Sequence, residues 1–190
     1  MKAVHVAGKD IIESQLDDFT DVIRNAFEKP QLDASDHFDP ENVYFYITHD
    51  EKTVAFGRYL KVSGITIDNK LWAAPVYGRS LVAVLKQHRA KGYGQLLVNE
   101  MRSYALEREW SQIGIHGKNA LVASSSKRTL SEFYAECGLS IDESIGRKLF
   151  APRNGLLHDL SHTNISYMDG DPFIEAARTC TDGVILPFSW

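Results

Sequence analysis

The spacing of apolar residues in the first part of the chain indicates one helix followed by a polar loop. Apolar side chains recur every three or four positions between residues 11 and 27, which predicts an amphipathic helix; they are Ile12, Leu16, Phe19, Ile23, Ala26 and Phe27. Lys29 ends this pattern because the residue before a proline disfavours helical geometry. Residues 31–42 are rich in Asp and lack periodicity, so they predict a surface loop or a short helix.

A different pattern follows, in which β-branched and aromatic residues dominate. Residues 43–48 and 54–67 predict two strands, separated by a turn at residues 49–52. Residues 68–70 predict the turn of a long hairpin whose second strand runs from Leu71 to Leu85. Pro75 and Gly78 predict a bend or bulge within that second strand.

The rest of the chain alternates between helical and extended patterns. Leu97, Val98, Met101 and Ala105 predict a helix after the long strand. Residues 110–119 predict a connection, residues 120–124 a short buried strand and residues 128–137 another helix. The order of elements predicts an α/β (α+β) fold, in which a mixed sheet is flanked by helices.

Composition favours one domain without a membrane segment. The chain has 190 residues, of which 44% are hydrophobic, so it can bury a full core, and it has no apolar run long enough to span a bilayer. The first residues predict a strand and not a signal peptide, which predicts a cytoplasmic protein. Cys137 and Cys180 are too few for a disulfide framework, so both are expected to be reduced. The net charge of −4 argues against nucleic acid as a partner and mildly favours a cationic substrate. The sequence leaves open whether the chain forms a homodimer.

A basic, glycine-bearing turn lies between the long strand and the next helix. Gly92 and Gly94 have no Cβ atom, so an anion can approach the backbone closely, and Arg89 and Lys91 add positive charge. The first N–H groups of a helix have no intrahelical partner and lie at the positive end of the helix dipole. The turn therefore predicts a phosphate-binding site. It lacks the Gly-Lys-Ser/Thr ending of a P-loop and the third glycine of a dinucleotide-binding motif.

Two segments together resemble the GNAT acetyltransferase superfamily. The segment Arg89-Ala90-Lys91-Gly92-Tyr93-Gly94 is similar to the family's acetyl-CoA signature, Arg/Gln-x-x-Gly-x-Gly/Ala. The segment Phe133-Tyr134-Ala135-Glu136-Cys137-Gly138-Leu139 is similar to the end of a helix that the family places downstream. The resemblance implies the GNAT fold, with a central, twisted, mostly antiparallel mixed sheet flanked by helices. It implies one N-acetyltransferase domain over residues 1–190, with a core at about 4–150 and an extension at 151–190 that shapes the acceptor site.

The resemblance also implies how acetyl-CoA, the co-substrate, would be bound. In the family, the end of the strand before the turn pairs with the pantetheine arm, and Val82, Ala83, Val84 and Leu85 match that position. Arg89 and residues 90–95 match the group that binds the pyrophosphate; the latter are Ala90, Lys91, Gly92, Tyr93, Gly94 and Gln95. Ser126, together with Ser124 and Ser125, is expected to hydrogen-bond the pantetheine amides or to cap the next helix, and the two roles are compatible.

Catalysis needs a neutral amine and a proton for the departing thiolate. Tyr134 stands where the family places a tyrosine as general acid; its alternative role is that of a core aromatic. A narrower resemblance, to the aminoglycoside 2'-N-acetyltransferases, rests on short segments and on the final Trp190. That family has a carboxylate base where this chain has Ser80, so the base is left unassigned.

The acceptor site is predicted from Asp36, Ser80 and Trp190, and the expected acceptor is a small cationic amine, with an aminoglycoside-like molecule as one example. Two alternatives stay open, namely acetylation of a peptide or protein amine and a non-catalytic CoA-binding module. His116 is expected in a loop, where it could serve as a base. His158 and His162 lack a third ligand, so no metal site is predicted.

Overall fold

The computed structural model describes residues 2–35, 38–123, 126–153 and 156–187. The chain divides into two compact units, of which the first contains Met1–Leu60 and Arg79–Glu107 and the second contains Lys61–Gly78 and Arg108–Trp190. The single domain over residues 1–190 stays a prediction.

The first unit is a sheet with two helices. Its strands are β1 (Val4–Ala7), β2 (Val43–His49), β3 (Lys52–Val62, up to Leu60) and β6 (Val76–Val84, from Arg79), in the order β1-β2-β3-β6. β2 is antiparallel to both β1 and β3. The helices are α1 (Glu13–Phe27) and α2 (Tyr93–Glu107), close to the predicted ones.

Each helix packs through the apolar stripe that its sequence predicts. The stripe of α1 contributes Phe19, Val22 and Ile23 to a buried cluster with Tyr44 and Phe56. Helix α2 lies against Gly57, where an added Cβ atom would be 3.2 Å from Sδ of Met101 and 3.4 Å from Cδ2 of Leu97. A larger residue at this position in β3 would require these side chains to move by a few tenths of an ångström. The absence of a side chain at Gly57 therefore leaves room for the side chains of α2 against the sheet.

The second unit contains a strand where the sequence predicts a connection. β7 (Ser111–Gly117) runs parallel to β6 over Val76–Gly78 and antiparallel to β11 (Thr163–Tyr167). β11 lies between β7 and β8 (Ser140–Asp142). The prediction of a connection over residues 110–119 is therefore wrong. The pairing with β11, which the chain supplies about 50 residues later, turns a Gly-bearing segment into a buried strand.

A five-stranded sheet completes the second unit. Its order is β10-β9-β12-β4-β5, with β4 (Thr66–Ile67), β5 (Lys70–Leu71), β9 (Leu149–Arg153), β10 (Leu156–Asp159) and β12 (Val184–Ile185). Asp68 and Asn69 have φ values of +48° and +62°, and they turn the chain between β4 and β5. The predicted long hairpin is therefore wrong, because this turn joins two-residue strands that precede β6. The last helices are α3 (Leu130–Glu136) and α4 (Pro172–Thr179).

The predicted strand at residues 120–124 is not observed among the described residues. Leu121 and Val122 are exposed, and the extended pairing there is a single bridge between Leu121 and Thr129. Apolar side chains without a facing partner do not make a buried strand. Cys137 and Cys180 are buried thiols. Among the helices that the structure describes, none has the length and apolar character needed to cross a bilayer.

Asp171 ties α4 to β7. Its carboxylate accepts hydrogen bonds from the backbone N–H groups of Phe173, Ile174 and Gln112, at 3.0, 3.4 and 3.0 Å. We expect Asp171→Ala to lower the free energy of unfolding by about 2–4 kcal/mol, because it leaves buried donors without an acceptor. Asp171→Asn keeps an acceptor oxygen and should lose less than half as much in a denaturant titration. Equal losses for both variants would contradict this role.

Candidate active site

The glycine-bearing turn has the backbone of an anion-binding site. Ala90 and Gly92 adopt left-handed conformations, with φ values of +58° and +83°, immediately before α2. Leu96 N donates to Gly92 O at 3.0 Å, so the N–H groups of residues 93–95 precede the first hydrogen bond of the helix. A Cβ atom added at Gly92 would meet no atom within 4 Å. The turn thus combines a helix N-terminus, left-handed residues and open space beside Gly92.

Arg89 holds this turn in place through hydrogen bonds to two neighbouring segments of the chain. Its Nη2 donates to Ala26 O at 2.7 Å and its Nε donates to Val84 O at 3.3 Å. The guanidinium therefore joins the C-terminal end of α1 to the end of β6, where a positive charge also suits the helix dipole. These two donors are directed at the protein backbone, which gives Arg89 a positioning role. Lys91 is exposed.

Three rings cluster beside the turn. The ring centroid of His88 lies 5.4 Å from that of His49 and 5.8 Å from that of Tyr93. Burial lowers the pKa of His88, and the positive charge of Lys91 and the neighbouring His49 act in the same direction, against Asp50. These effects favour the neutral form of the His88 imidazole over its protonated form.

The His88 shift predicts a pH dependence that NMR can measure. The unfolded chain binds the His88 proton at a higher pH than the folded chain does, so between the two pKa values stability rises with pH. Acidification through this window should destabilise the protein at His88. Lys91→Ala should raise the pKa of His88 toward its ordinary value in a chemical-shift titration. An unchanged titration curve in that variant would refute the contribution of Lys91.

The end of β6 carries the residues predicted to accompany the pantetheine arm. Among the described residues, the ladder between β6 and β7 covers Val76–Gly78, which leaves Val82–Val84 beyond it. Leu81 and Leu85 pack with Ala83 on the cluster under α1, whereas Val82 lies near Gly57. Leu85 N donates to Val54 O on β3 at 2.9 Å. Leu81 has a φ of +53°, which is unusual for a side chain of this size inside a strand and marks a local distortion of β6.

Ser80, predicted for the acceptor site at the position where the related family has its carboxylate base, is hydrogen-bonded to a buried cation. Nε of Arg58 donates to Oγ of Ser80 at 2.9 Å. Arg58 is 8% exposed and also hydrogen-bonds the hydroxyl of Tyr44. Burial lowers the pKa of Arg58, while Tyr44 and Asp39 raise it, and a guanidinium remains protonated at any physiological pH. Sequence reasoning missed Arg58, because one Arg in an apolar strand is usually expected to face water.

Two carboxylates of the predicted acidic segment accept hydrogen bonds from neighbouring residues. Asp33 accepts hydrogen bonds from Ser35, Thr20 and Arg24, and the shortest, from Ser35 Oγ, is 2.6 Å. Asp39 Oδ1 accepts from Glu41 N at 2.7 Å. Asp36 and Trp190 lie outside the described residues, so their acceptor-binding roles stay predictions.

In the second unit, Tyr134 belongs to a cluster of buried polar groups. Its ring centroid is 5.3 Å from that of His116, and each residue is 8% exposed. His116 Nε2 lies 3.0 Å from Ser131 Oγ, which also accepts from Asn164 Nδ2 at 2.9 Å. The expectation of a loop histidine is wrong, because His116 lies on β7 opposite Asn164. Sequence reasoning did not place Ser131 and Asn164 beside His116. The one available signal was the alternation of Ile113 and Ile115, which have the two-residue period of a strand and lie just before His116.

Ser126 lies in the turn before α3 and does not cap that helix. Its Oγ accepts from Arg128 N at 3.0 Å, whereas Thr129 is the N-cap and pairs reciprocally with Glu132. The capping alternative for Ser126 is therefore wrong, and its contact with pantetheine stays a prediction. Among the residues that the structure describes, no three His, Cys, Asp or Glu side chains form a group that could hold a metal ion.

The chain is similar to GNAT acetyltransferases both in sequence and in fold. Residues 9–138 match the model of the acetyltransferase (GNAT) family. The Escherichia coli GNAT family N-acetyltransferase YhbS, solved in complex with CoA, superposes with a TM-score of 0.58 at 16% identity, over 98% of this chain and 91% of that one. An acyl-CoA N-acyltransferase from Pseudomonas aeruginosa gives a TM-score of 0.57 at 14% identity, over 88% and 98% of the two chains.

A third structure is the ribosomal-protein-S18-alanine N-acetyltransferase from Escherichia coli, with a TM-score of 0.55 at 13% identity, over 87% of this chain and 92% of that one. The search of curated proteins found no match. The family match covers more than half of the chain and includes both the turn and the Tyr134 helix. The protein is therefore an N-acetyltransferase of the GNAT family.

Proposed function

We propose that the protein transfers the acetyl group of acetyl-CoA directly to a primary amine of a small acceptor. The observation that carries this proposal is the turn between β6 and α2, where two left-handed residues and a helix N-terminus surround open space. A diphosphate fits this donor set because it needs several N–H groups and a close approach to the backbone. The CoA complex of YhbS, which has a similar fold, supports the same ligand class.

The residues of the first unit would hold the co-substrate in two places. The backbone N–H groups of residues 90–95 bind the diphosphate, and Lys91 adds charge from an exposed position. The pantetheine arm lies along Val82–Leu85, beyond the ladder between β6 and β7. Arg89 holds the turn in place through Ala26 and Val84. This arrangement would orient the thioester for attack.

Acetyl-CoA supplies the activated acetyl group, and the protein manages two protons. The acceptor must react as a neutral amine, although a free alkyl amine has a pKa near about 10. The Ser80 hydroxyl is not a base at neutral pH, so we propose that the unprotonated fraction of the amine is the reacting species. Tyr134 is the proposed donor of a proton to the departing thiolate. Its ring is held by Phe133 and His116, at centroid distances of 5.2 and 5.3 Å.

The test is release of the free thiol from acetyl-CoA across a panel of amines, together with calorimetry of CoA binding. We expect CoA to bind and at least one small primary amine to drive thiol release. Turnover with peptides alone would favour a peptide or protein substrate, of the kind named for the Escherichia coli ribosomal-protein-S18-alanine enzyme. CoA binding without turnover on any amine or peptide would favour a non-catalytic CoA-binding module, and absence of CoA binding would refute the proposal.

A further inference from the structure

The charge beside Ser80 is positive. Arg58 is 8% exposed, and its Nε lies 2.9 Å from Ser80 Oγ, while Ser80 itself is partly exposed. An ammonium group brought next to Ser80 would meet like charge, whereas a carboxylate there would be attracted.

The position of Ser80 along β6 places it near the reacting end of the proposed co-substrate. This step rests on the proposed function. The diphosphate would lie at residues 90–95, so the arm that follows Val82–Leu85 leads back along β6 toward Ser80. Leu85, which directly follows β6, is five positions from Ser80, a distance of about 16 Å at the usual rise per residue of an extended chain. An extended pantetheine arm is of comparable length. The thioester, and therefore the acceptor, would come to the part of β6 that Arg58 contacts.

Two residues of the acidic segment, Asp33 and Asp39, have their carboxylates engaged within the protein. Asp33 is bonded to Ser35, Thr20 and Arg24, and one oxygen of Asp39 caps the backbone of Glu41. The charge of Asp39 also raises the pKa of Arg58, against the effect of burial. The charges of Asp33 and Asp39 are thus used within the protein.

We infer that the acceptor is an amine that also carries a carboxylate, as an amino acid does, and that Arg58 and Ser80 recognise this carboxylate. Ser80 donates its hydroxyl proton to the carboxylate while its oxygen accepts from Arg58, so the serine passes the polarisation of the guanidinium to the ligand. Arg58 is a specificity-determining residue in this scheme and takes no part in proton transfer.

The experiment compares acceptors that differ only in this charge. Amino acids and their carboxamides are measured by thiol release, with Arg58→Met and Arg58→Lys beside the wild type, and cadaverine is compared with lysine. For the carboxylate acceptors, we expect Arg58→Met to reduce kcat/KM by about 10- to 100-fold, mainly through KM. For the carboxamides, the change should stay within about threefold. The amine of an amino acid carboxamide has a lower pKa than the amine of the amino acid itself. This difference does not affect the comparison, because each variant is compared with the wild type on both acceptors. Arg58→Lys should recover part of the loss.

A binding measurement separates this inference from the reaction itself. Calorimetry of an N-acetylated amino acid, titrated into the CoA complex, should show weaker binding in Arg58→Met even if no amine in the panel is acetylated. Because Arg58 is buried, the variant could fail to fold, and Ser80→Glu then provides the second test. It places a carboxylate against Arg58 and should abolish the preference for amino acids over their carboxamides and favour cadaverine over lysine. Equal effects on both acceptor classes, or a wild-type preference for cadaverine, would overturn the inference.

Discussion

Gly92→Asp should weaken CoA binding by at least about 100-fold while the protein stays folded. Gly92 has a φ of +83° and its added Cβ would enter open space, so the side chain would project where the diphosphate is proposed to bind. The new carboxylate repels a dianionic ligand, and calorimetry with CoA measures the loss. Gly94→Asp should have a similar effect, because Gly94 is the second residue of α2.

The structure offers a matched control for backbone strain. Gly170 has a φ of +75°, and a Cβ added there would also meet no atom within 4 Å. Gly170→Asp should therefore cost similar stability and leave CoA affinity unchanged. Unchanged affinity in folded Gly92→Asp would remove the main support for the proposed CoA site.

Tyr134→Phe should reduce kcat by about 10- to 1,000-fold and leave CoA affinity almost unchanged. The substitution keeps the ring that packs between Phe133 and His116 but deletes the proposed proton donor to the thiolate. General acid catalysis contributes about 10²- to 10⁴-fold, and water can replace part of it, so the lower part of the range is expected. Single-turnover thiol release measures the chemical step directly.

Tyr167→Phe is the control for loss of a buried tyrosine hydroxyl in the same unit. The Tyr167 hydroxyl accepts a hydrogen bond from Arg178, so its removal should lower stability without changing kcat. If Tyr134→Phe keeps full turnover on the best acceptor, Tyr134 is a core residue and another group protonates the thiolate.

The parts of the fold that could be predicted from sequence are those stabilised by neighbours in the chain. Helix α1 repeats its apolar residues at helical spacing, and the turn before α2 combines glycines with basic residues within six positions. Strand β7 has Gly114 and Gly117 and few β-branched residues, so its local preference is weak. Its partner β11 lies about 50 residues later in the chain, and no local pattern reports that pairing.

The candidate site also contains features that local sequence predicts and features that depend on tertiary contacts. At the proposed CoA site, the left-handed backbone of Gly92 follows from residue type, because glycine has no Cβ atom. The direction of a charged side chain depends on tertiary contacts. Arg58 could have faced water in β3, and only the structure shows it bonded to Ser80. The contact between Arg58 and Ser80 is therefore a feature that the sequence did not predict.

The late position of β11 and β12 has a consequence for synthesis on the ribosome. Every segment of the first unit has been translated once Glu107 is added. The second unit cannot complete its sheets until Tyr167 and then Ile185 have emerged, because β11 lies between β7 and β8, and β12 lies between β9 and β4. β7 can pair with β6 as soon as it is made, but its other edge, which pairs with β11, stays open while about 50 further residues are added. This interval is when the open strand edge is most exposed to misassociation, and a chaperone bound there would shield it.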